Sequence, residues 1–338
     1  MQVLKQQLLK LLPLSVKRQL EILRFYRRNP SFLPFNKHQT GFSENTKLIL
    51  SFPRSGSSWV GSIVGQDKVA CYLREPITTQ YQFLRKGLPS VFSFESCLLK
   101  NEYNTFIEQA FNGQPTPLKN ITAFPDQWLN NNASKLLVIK EVNPLCVESF
   151  IKFKPQILYL VRHPYAVAKS FNALNWQGDD LISGKVSSCE FARIQSIRPT
   201  LLQTNFWHQI DYLQGWIEAR TQNMLEDADY RLFAYERLCQ QPMSEFKQVF
   251  EFFNMAWSND TEQSILATFD QTKIVAEGDF SLKRAKNQIG RVTVNKENRK
   301  TYEIVLQAYI EGIMDYNTLN GSNYAPTYSD ASEFVTFQ

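Results

Sequence analysis

Short apolar runs alternate with stretches of helical period along most of this chain. The runs KLILSF (47–52), KVACYL (68–73), KLLVIKE (135–141), QILYLVR (156–162) and YRLFAY (230–235) are continuous rather than alternating. Strands covered on both faces read this way. Between them lie helical patterns at 56–65, 144–152, 164–174, 204–225 and 242–253. β and α alternating at this spacing predict a parallel, doubly wound α/β sheet with right-handed crossovers, a three-layer sandwich with a central parallel sheet. Ligands of such sheets sit outside the carboxyl ends of the strands, so the residues just after each strand are the ones to inspect.

The N-terminal stretch MQVLKQQLLKLLPLSVKRQLEILRFYRR is different. Leu4, Leu8, Leu11 and Leu12 recur at helical spacing, but Lys5, Gln6, Gln7 and Lys10 cut the apolar run. It therefore reads neither as a signal peptide nor as a span, and no other window offers about 20 apolar residues in a row. The first reading is a helix that packs on its own domain. The second is a peripheral membrane contact, helped by Lys17, Arg18, Arg24, Arg27 and Arg28. The turn-rich segment 27–46 separates this stretch from the rest. The expected organisation is an N-terminal helical segment (1–40), an α/β domain (41–325) and a tail (326–338).

Composition narrows the classes. The chain has 338 residues, 43% of them apolar and 13% aromatic, enough for a substantial buried core. Its 37 basic and 32 acidic residues leave a net charge of +5, a mild excess that favours an anionic ligand and not a dedicated nucleic-acid binder. The five cysteines form no C-x-x-C pair, which reads as reduced, packed thiols of a cytoplasmic protein. Three histidines in no cluster give no zinc site, and no metal is expected.

The first candidate chemistry is in LILSFPRSGSSWVGSIV (48–64). A strand ends at Phe52, Pro53 stops the ladder, and Gly56 lets the backbone pass close to a bound group. Ser57 and Ser58 stand at the start of a helix whose N–H groups and dipole favour an anion, and Arg54 adds a permanent charge. The layout is that of a phosphate-binding loop, and the fold expectation is of the P-loop nucleotide-binding type. Yet Ser57 stands where a Walker loop carries Lys, and no Gly lies five residues before Gly56. The loop suits a phosphate or sulfate; taken alone, it is equally a serine-rich strand-to-helix turn.

A second anion site follows in LYLVRHPYAVAKS (158–170). Arg162 ends a strand, Pro164 is placed for a first helical turn, and Ser170 lies about two turns further on. A guanidinium and a hydroxyl could converge there on one phosphate; an ordinary surface ion pair of Arg162 is the plainer alternative. Two anion loops on one sheet suggest a ligand with two separated anionic groups.

Together these motifs resemble those of the sulfotransferases that use 3′-phosphoadenosine 5′-phosphosulfate. SFPRSGSSWVGSIV resembles their 5′-phosphosulfate loop, and LVRHPYAVAKSF their 3′-phosphate motif, with its Arg and Ser eight apart. LFAYERLCQQP (232–242) is similar to their Tyr-Glu-Asp-Leu segment, with Arg237 in place of Asp. The Glu-Pro of YLREP is similar to a pair in carbohydrate-type and bacterial members. The resemblance covers roughly residues 47–300 and implies that donor, with no bridging magnesium.

It also implies roles. Arg54 would stabilise the leaving phosphate oxygen, Ser55, Gly56, Ser57 and Ser58 would hold the 5′ group, and Arg162 and Ser170 the 3′-phosphate. Trp59 and Tyr235 would stand near the adenine, or else pack in the core and hold the strand. Lys140 would meet donor or transition-state charge. Aryl-type members use a His before the 3′-phosphate motif as base, but none lies between His38 and His163 here. A carboxylate is expected instead, Glu75 first and Glu141 second, with a salt bridge as the competing role for either. His163 reads as a turn residue and His208 as a structural helix residue. The basic segment FSLKRAKNQIGRVTV (280–294) offers Lys283, Arg284 and, preferred, Arg291 for the 3′-phosphate; a solvated charge run is its other reading. Segments 76–130 and 176–203 are expected to wall a sugar, lipid-linked or other hydroxyl acceptor. The alternatives are a P-loop kinase or nucleotide hydrolase, and a non-catalytic anion-binding module.

Overall fold

The computed structural model describes residues 46–67, 70–78, 100–113, 136–178, 186–268, 291–329 and 331–338, with isolated positions 16, 20, 23, 27 and 182. Most of the N-terminal stretch and of segment 76–130, together with Lys283 and Arg284, lies outside the described residues.

Five parallel strands form the sheet: β1 (Thr46–Ser51), β2 (Ala70–Arg74), β3 (Leu136–Glu141), β4 (Gln156–Val161) and β5 (Tyr230–Ala234). Each lies within two residues of its expected bounds. Their order is β2-β3-β1-β4-β5. β1 is central, in register with β3 (Ile49 opposite Lys140) and with β4 (Ser51 opposite Leu160). The chain leaves β1 for β2 on one side, and after β3 it crosses β1 to reach β4 on the other. Such a reversal is where sheets of this kind hold their ligands, here at the carboxyl end of β1.

Successive residues along the strands face opposite layers. Leu48 and Leu50 of β1, Leu137 and Ile139 of β3, and Ile157 and Tyr159 of β4 share one core. Ile49, Val138, Leu158 and Leu160 belong to the other. Full burial of each such side chain contributes about 1.5–3 kcal/mol, so both layers are needed and a continuous apolar run results.

Helices with defined bounds among the described residues are α1 (Ser57–Val64), α2 (Lys100–Phe111), α3 (Val147–Phe150), α4 (Pro164–Asn172), α5 (Ser188–Ile197), α6 (Phe206–Met224), α7 (Tyr235–Gln240), α8 (Pro242–Phe252), α9 (Asn259–Thr268) and α10 (Arg299–Asn320). Trp59 and Ile63 of α1, Leu238 of α7, Phe246 of α8 and Ile265 of α9 cover one face. Ile107 of α2, Phe171 of α4, Trp216 of α6 and Tyr309 of α10 cover the other. The three-layer α/β sandwich is therefore present. The helix expected over 144–152 is three short turns, α3 flanked by 3-10 turns Pro144–Cys146 and Ile151–Phe153.

α6 and α10 pack backbone to backbone. A Cβ on Gly215 would collide with the carbonyl of Tyr309, and one on Gly312 with the carbonyl of Tyr212. At the chain's end, β6 (Val292–Val294) pairs in parallel with β7 (Val335–Phe337), Val292 opposite Val335. Val292 and Val294 pack with Tyr165 of α4 and with Tyr302 and Val305 of α10. No helix of the described residues is long and apolar enough to cross a membrane.

Candidate active site at the carboxyl ends of the strands

Every strand of the sheet delivers a candidate residue to one end. The loop after β1 does so through its backbone conformation. Arg54 has φ 69° and Gly56 φ 88°, both left-handed. A Cβ on Gly56 would also strike the ring of Tyr235, so Gly is required there twice over. Gly56 caps α1 without a side chain, leaving the first-turn N–H groups no capping partner of that kind. Ser57 Oγ accepts from Ser51 Oγ at 2.8 Å, and Ser58 is half-buried beside it. Ser55 Oγ is buried with no hydrogen-bond partner.

β4 brings the second cation against this loop. Arg162 Nη1 donates to the Arg54 carbonyl at 2.8 Å, and Arg54 Nε donates to Ser170 Oγ on α4 at 2.8 Å. The two sequence motifs thus meet in one cluster. Arg162 lies 4.7 Å over the ring of Tyr235, a cation–π contact, and its own carbonyl accepts from Gln214 of α6. Its Nε is buried with no hydrogen-bond partner. Orphaned donors are rare in protein interiors. Arg162 Nε and Ser55 Oγ, next to uncapped helical N–H groups, suit an anion.

His163 follows Arg162 and caps α4, its Nδ1 accepting from the Tyr165 N–H at 3.2 Å. Burial, and then Arg162, push its imidazole down to about 3, so it stays neutral. Its own N–H donates to Glu236 Oε1 at 3.1 Å, and Tyr328 donates to Glu236 Oε2 at 2.7 Å. Burial raises the Glu236 carboxyl, and Arg162 opposes that rise.

On the other side of β1, Glu75 and Lys140 form a short ion pair, the Lys140 end buried and the Glu75 end partly exposed. Glu75 has φ 49°, its N–H donates to the Lys140 carbonyl at 2.6 Å, and Arg74 Nη2 lies 3.7 Å from its carboxylate. Burial alone would raise the Glu75 carboxyl; Lys140, Arg74 and Arg54 outweigh it and hold the group down at about 2. Burial lowers Lys140, with Glu75 opposing. Arg54 and Glu75 are two of five described non-glycine residues with positive φ. Such strain concentrates at functional sites.

Glu141 turns away from that pair. One oxygen accepts from the Ile77 and Thr78 N–H groups at 2.6 and 3.2 Å, the other from Thr78 Oγ1 at 2.6 Å. It thereby clamps the turn that follows Glu75. Burial, against these bonds, pushes its carboxyl up to about 7.

Trp59, Arg291 and His208 complete the set. Trp59 is fully buried on α1, its Nε1 donating to Thr268 and its ring edge-on to Tyr235 and Phe246. Its contacts are those of a core residue. Arg291 is exposed, one residue before β6. His208 caps no helix; its Nε2 lies 3.5 Å from Glu311 on α10. Sequence reasoning passed over Glu236, although the Tyr-Glu pair of LFAYERL points at it. It had no signal for Gln214, Thr78 or Tyr328.

A family model described as a sulfotransferase domain matches residues 44–302. The chain belongs to the sulfotransferase family. No curated protein matches it by sequence. Among solved structures, a sulfotransferase domain from the curacin biosynthetic pathway is 18% identical, with 64% of this chain and 76% of that one covered and a TM-score of 0.39. A sulfotransferase from Alicyclobacillus acidocaldarius is 11% identical, with 83% and 96% covered and a TM-score of 0.40. A mouse sulfotransferase complexed with PAP is 11% identical, with 87% and 94% covered and a TM-score of 0.38. The assignment rests on the family match, and the reaction of this sulfotransferase is sulfuryl transfer.

Proposed function

We propose that this sulfotransferase takes its sulfuryl group from 3′-phosphoadenosine 5′-phosphosulfate and passes it to a hydroxyl or amine of a carbohydrate, lipid-linked or small-molecule acceptor. The observation that carries the reading is the joining of the two anion motifs: Arg162 donates to the Arg54 carbonyl, and Arg54 donates to Ser170. A nucleoside with charged groups at its 5′ and 3′ ends needs two cationic grips in one crevice. The buried, unpartnered Arg162 Nε and Ser55 Oγ fit that donor.

In this reading the loop from Ser55 to Ser58 holds the 5′ group and Arg162 with Ser170 the 3′-phosphate, while Tyr235 flanks the nucleoside. The acceptor oxygen bonds to sulfur as the bond from sulfur to the bridging oxygen breaks. The electron pair leaves on the phosphate oxygen, and the acceptor proton passes to Glu75. Negative charge grows on the bridging and equatorial oxygens, and Arg54 and Lys140 are the cations aimed at it. In the structure Lys140 is paired with Glu75, which keeps that carboxylate a weak base. Drawing Lys140 toward a sulfuryl oxygen restores its basicity. Glu141, bonded to the Glu75 turn, is the second choice as base.

Thermal shift of the full chain tests the donor: 3′,5′-adenosine bisphosphate is expected to raise Tm, and ATP with magnesium to leave it unchanged. The reverse pattern would make the protein a kinase or hydrolase. Glu75→Gln is expected to lower kcat by about 10²–10⁴-fold, the weight of a general base, with bisphosphate binding retained. Near-normal turnover of Glu75→Gln beside a dead Glu141→Gln would exchange the two roles.

A further inference from the structure

We infer that Tyr328, far along the chain in its C-terminal segment, is a positioning residue for the 3′-anion site: it holds Glu236 off Arg162 and so keeps that guanidinium open to phosphate. The inference rests on the donor reading above. Tyr328 is fully buried, and its hydroxyl donates to Glu236 Oε2. The other oxygen of Glu236 accepts from the His163 N–H. The carboxylate is thus spanned between a tail hydroxyl and the backbone beside Arg162. The His163 ring is packed 5.3 Å from Tyr328 and 5.8 Å from Tyr302 of α10, so Tyr328 also borders the cap of α4, the helix that carries Ser170. Thr327 anchors the segment independently by donating to Glu218 of α6.

Glu236 is the carboxylate whose charge Arg162 feels. Both its oxygens are committed elsewhere, and Arg162 Nε is left with no hydrogen-bond partner. Remove the Tyr328 hydroxyl and one carboxylate oxygen is released in a buried place, where an unpaired polar group is costly. The near cation is its remedy. An ion pair between Glu236 and Arg162 then competes with the 3′-phosphate.

The test measures affinity for 3′,5′-adenosine bisphosphate and for 5′-AMP, which lacks only the 3′ group, by calorimetry on the full chain. The wild type is expected to favour the bisphosphate clearly. Tyr328→Phe, which keeps the ring, is expected to lose about fivefold of that preference, the weight of one hydrogen bond, with 5′-AMP affinity unchanged. Thr327→Val, which cuts the neighbouring anchor, is expected to keep the preference. A Tyr328→Phe protein with the wild-type ratio, or with both ligands weakened alike, overturns the inference while the donor reading stands. A wild-type ratio near one overturns the donor reading and this inference with it. Should Tyr328→Phe fail to fold, Glu236→Asp carries the test: its charge remains but it is too short to span both partners, and it is expected to lose the same preference. A retained ratio there overturns the inference equally.

Discussion

Glu75 is partly exposed and Glu141 fully buried, and their carboxyls are shifted in opposite directions. Glu75 faces three cations and is held at about 2; Glu141 is pushed up to about 7 by burial, against its bonds to Thr78 and Ile77 and with the Glu75 charge adding to the rise. The consequences for stability have opposite signs. The folded state keeps the Glu141 proton to about 7, while the unfolded chain releases it near pH 4.3. Glu141 therefore costs stability as pH rises through that window, by up to about 1.4 kcal/mol per unit. Glu141→Gln removes the cost, so its Tm relative to wild type is expected to climb between pH 5 and pH 7.5; a constant difference rules the mechanism out. Glu75 acts at the acid end, its stabilisation fading as pH falls from about 4.3 towards 2. His163, held neutral down to about 3, takes a proton in the unfolded chain near pH 6.5. It too costs stability on acidification, beginning below pH 6.5.

The elements were legible to different degrees for physical reasons. Strands covered on both faces leave unbroken apolar runs, which is why β1 to β4 stand out from residues alone; β5, at the sheet edge, is broken by an exposed Arg231. α10 does not: its buried side includes Tyr302, Gly312, Asp315 and Tyr316, which blur an apolar stripe. Arg291, read as part of a basic loop, directly precedes β6; positions 280–290 of that segment lie outside the described residues. The turn from β1 into α1 was legible through Gly56, and it makes a sharp prediction. Gly56→Ala forces a side chain into left-handed backbone and into the Tyr235 ring. Helix α1 and the anion cradle then cannot keep their present angle. Bisphosphate affinity is expected to fall more than about tenfold, with about 1–2 kcal/mol of stability lost to backbone strain alone. Calorimetry and denaturant melts check the two parts. Gly312→Ala is expected to push α6 and α10 apart and cost about 1–3 kcal/mol, which denaturant melts check.

At the scale of the molecule, the family match stops at residue 302, yet the structure continues through α10 and the tail. The tail holds on at separate points: Thr327 to Glu218, Tyr328 to Glu236, Phe334 in the core and β7 on β6. Tyr328 and Glu236 are 92 residues apart, and no local pattern announces such a contact. The motif residues were legible because each carries its chemistry on a short stretch. A chain ending after residue 326 is expected to melt lower and to lose bisphosphate affinity more than 5′-AMP affinity; equal losses would mark the tail as general support.

The bond from Arg162 to the Arg54 carbonyl gives the crevice a property neither loop has alone. In the donor reading proposed above, this bond makes the two motifs the jaws of one caliper. A molecule carrying a single charge closes on one jaw and leaves the other gaping. In that reading, a molecule whose charges match both motifs meets them together. Selection is then by span, and separate halves of a fitting molecule should bind far more weakly than their tethered whole.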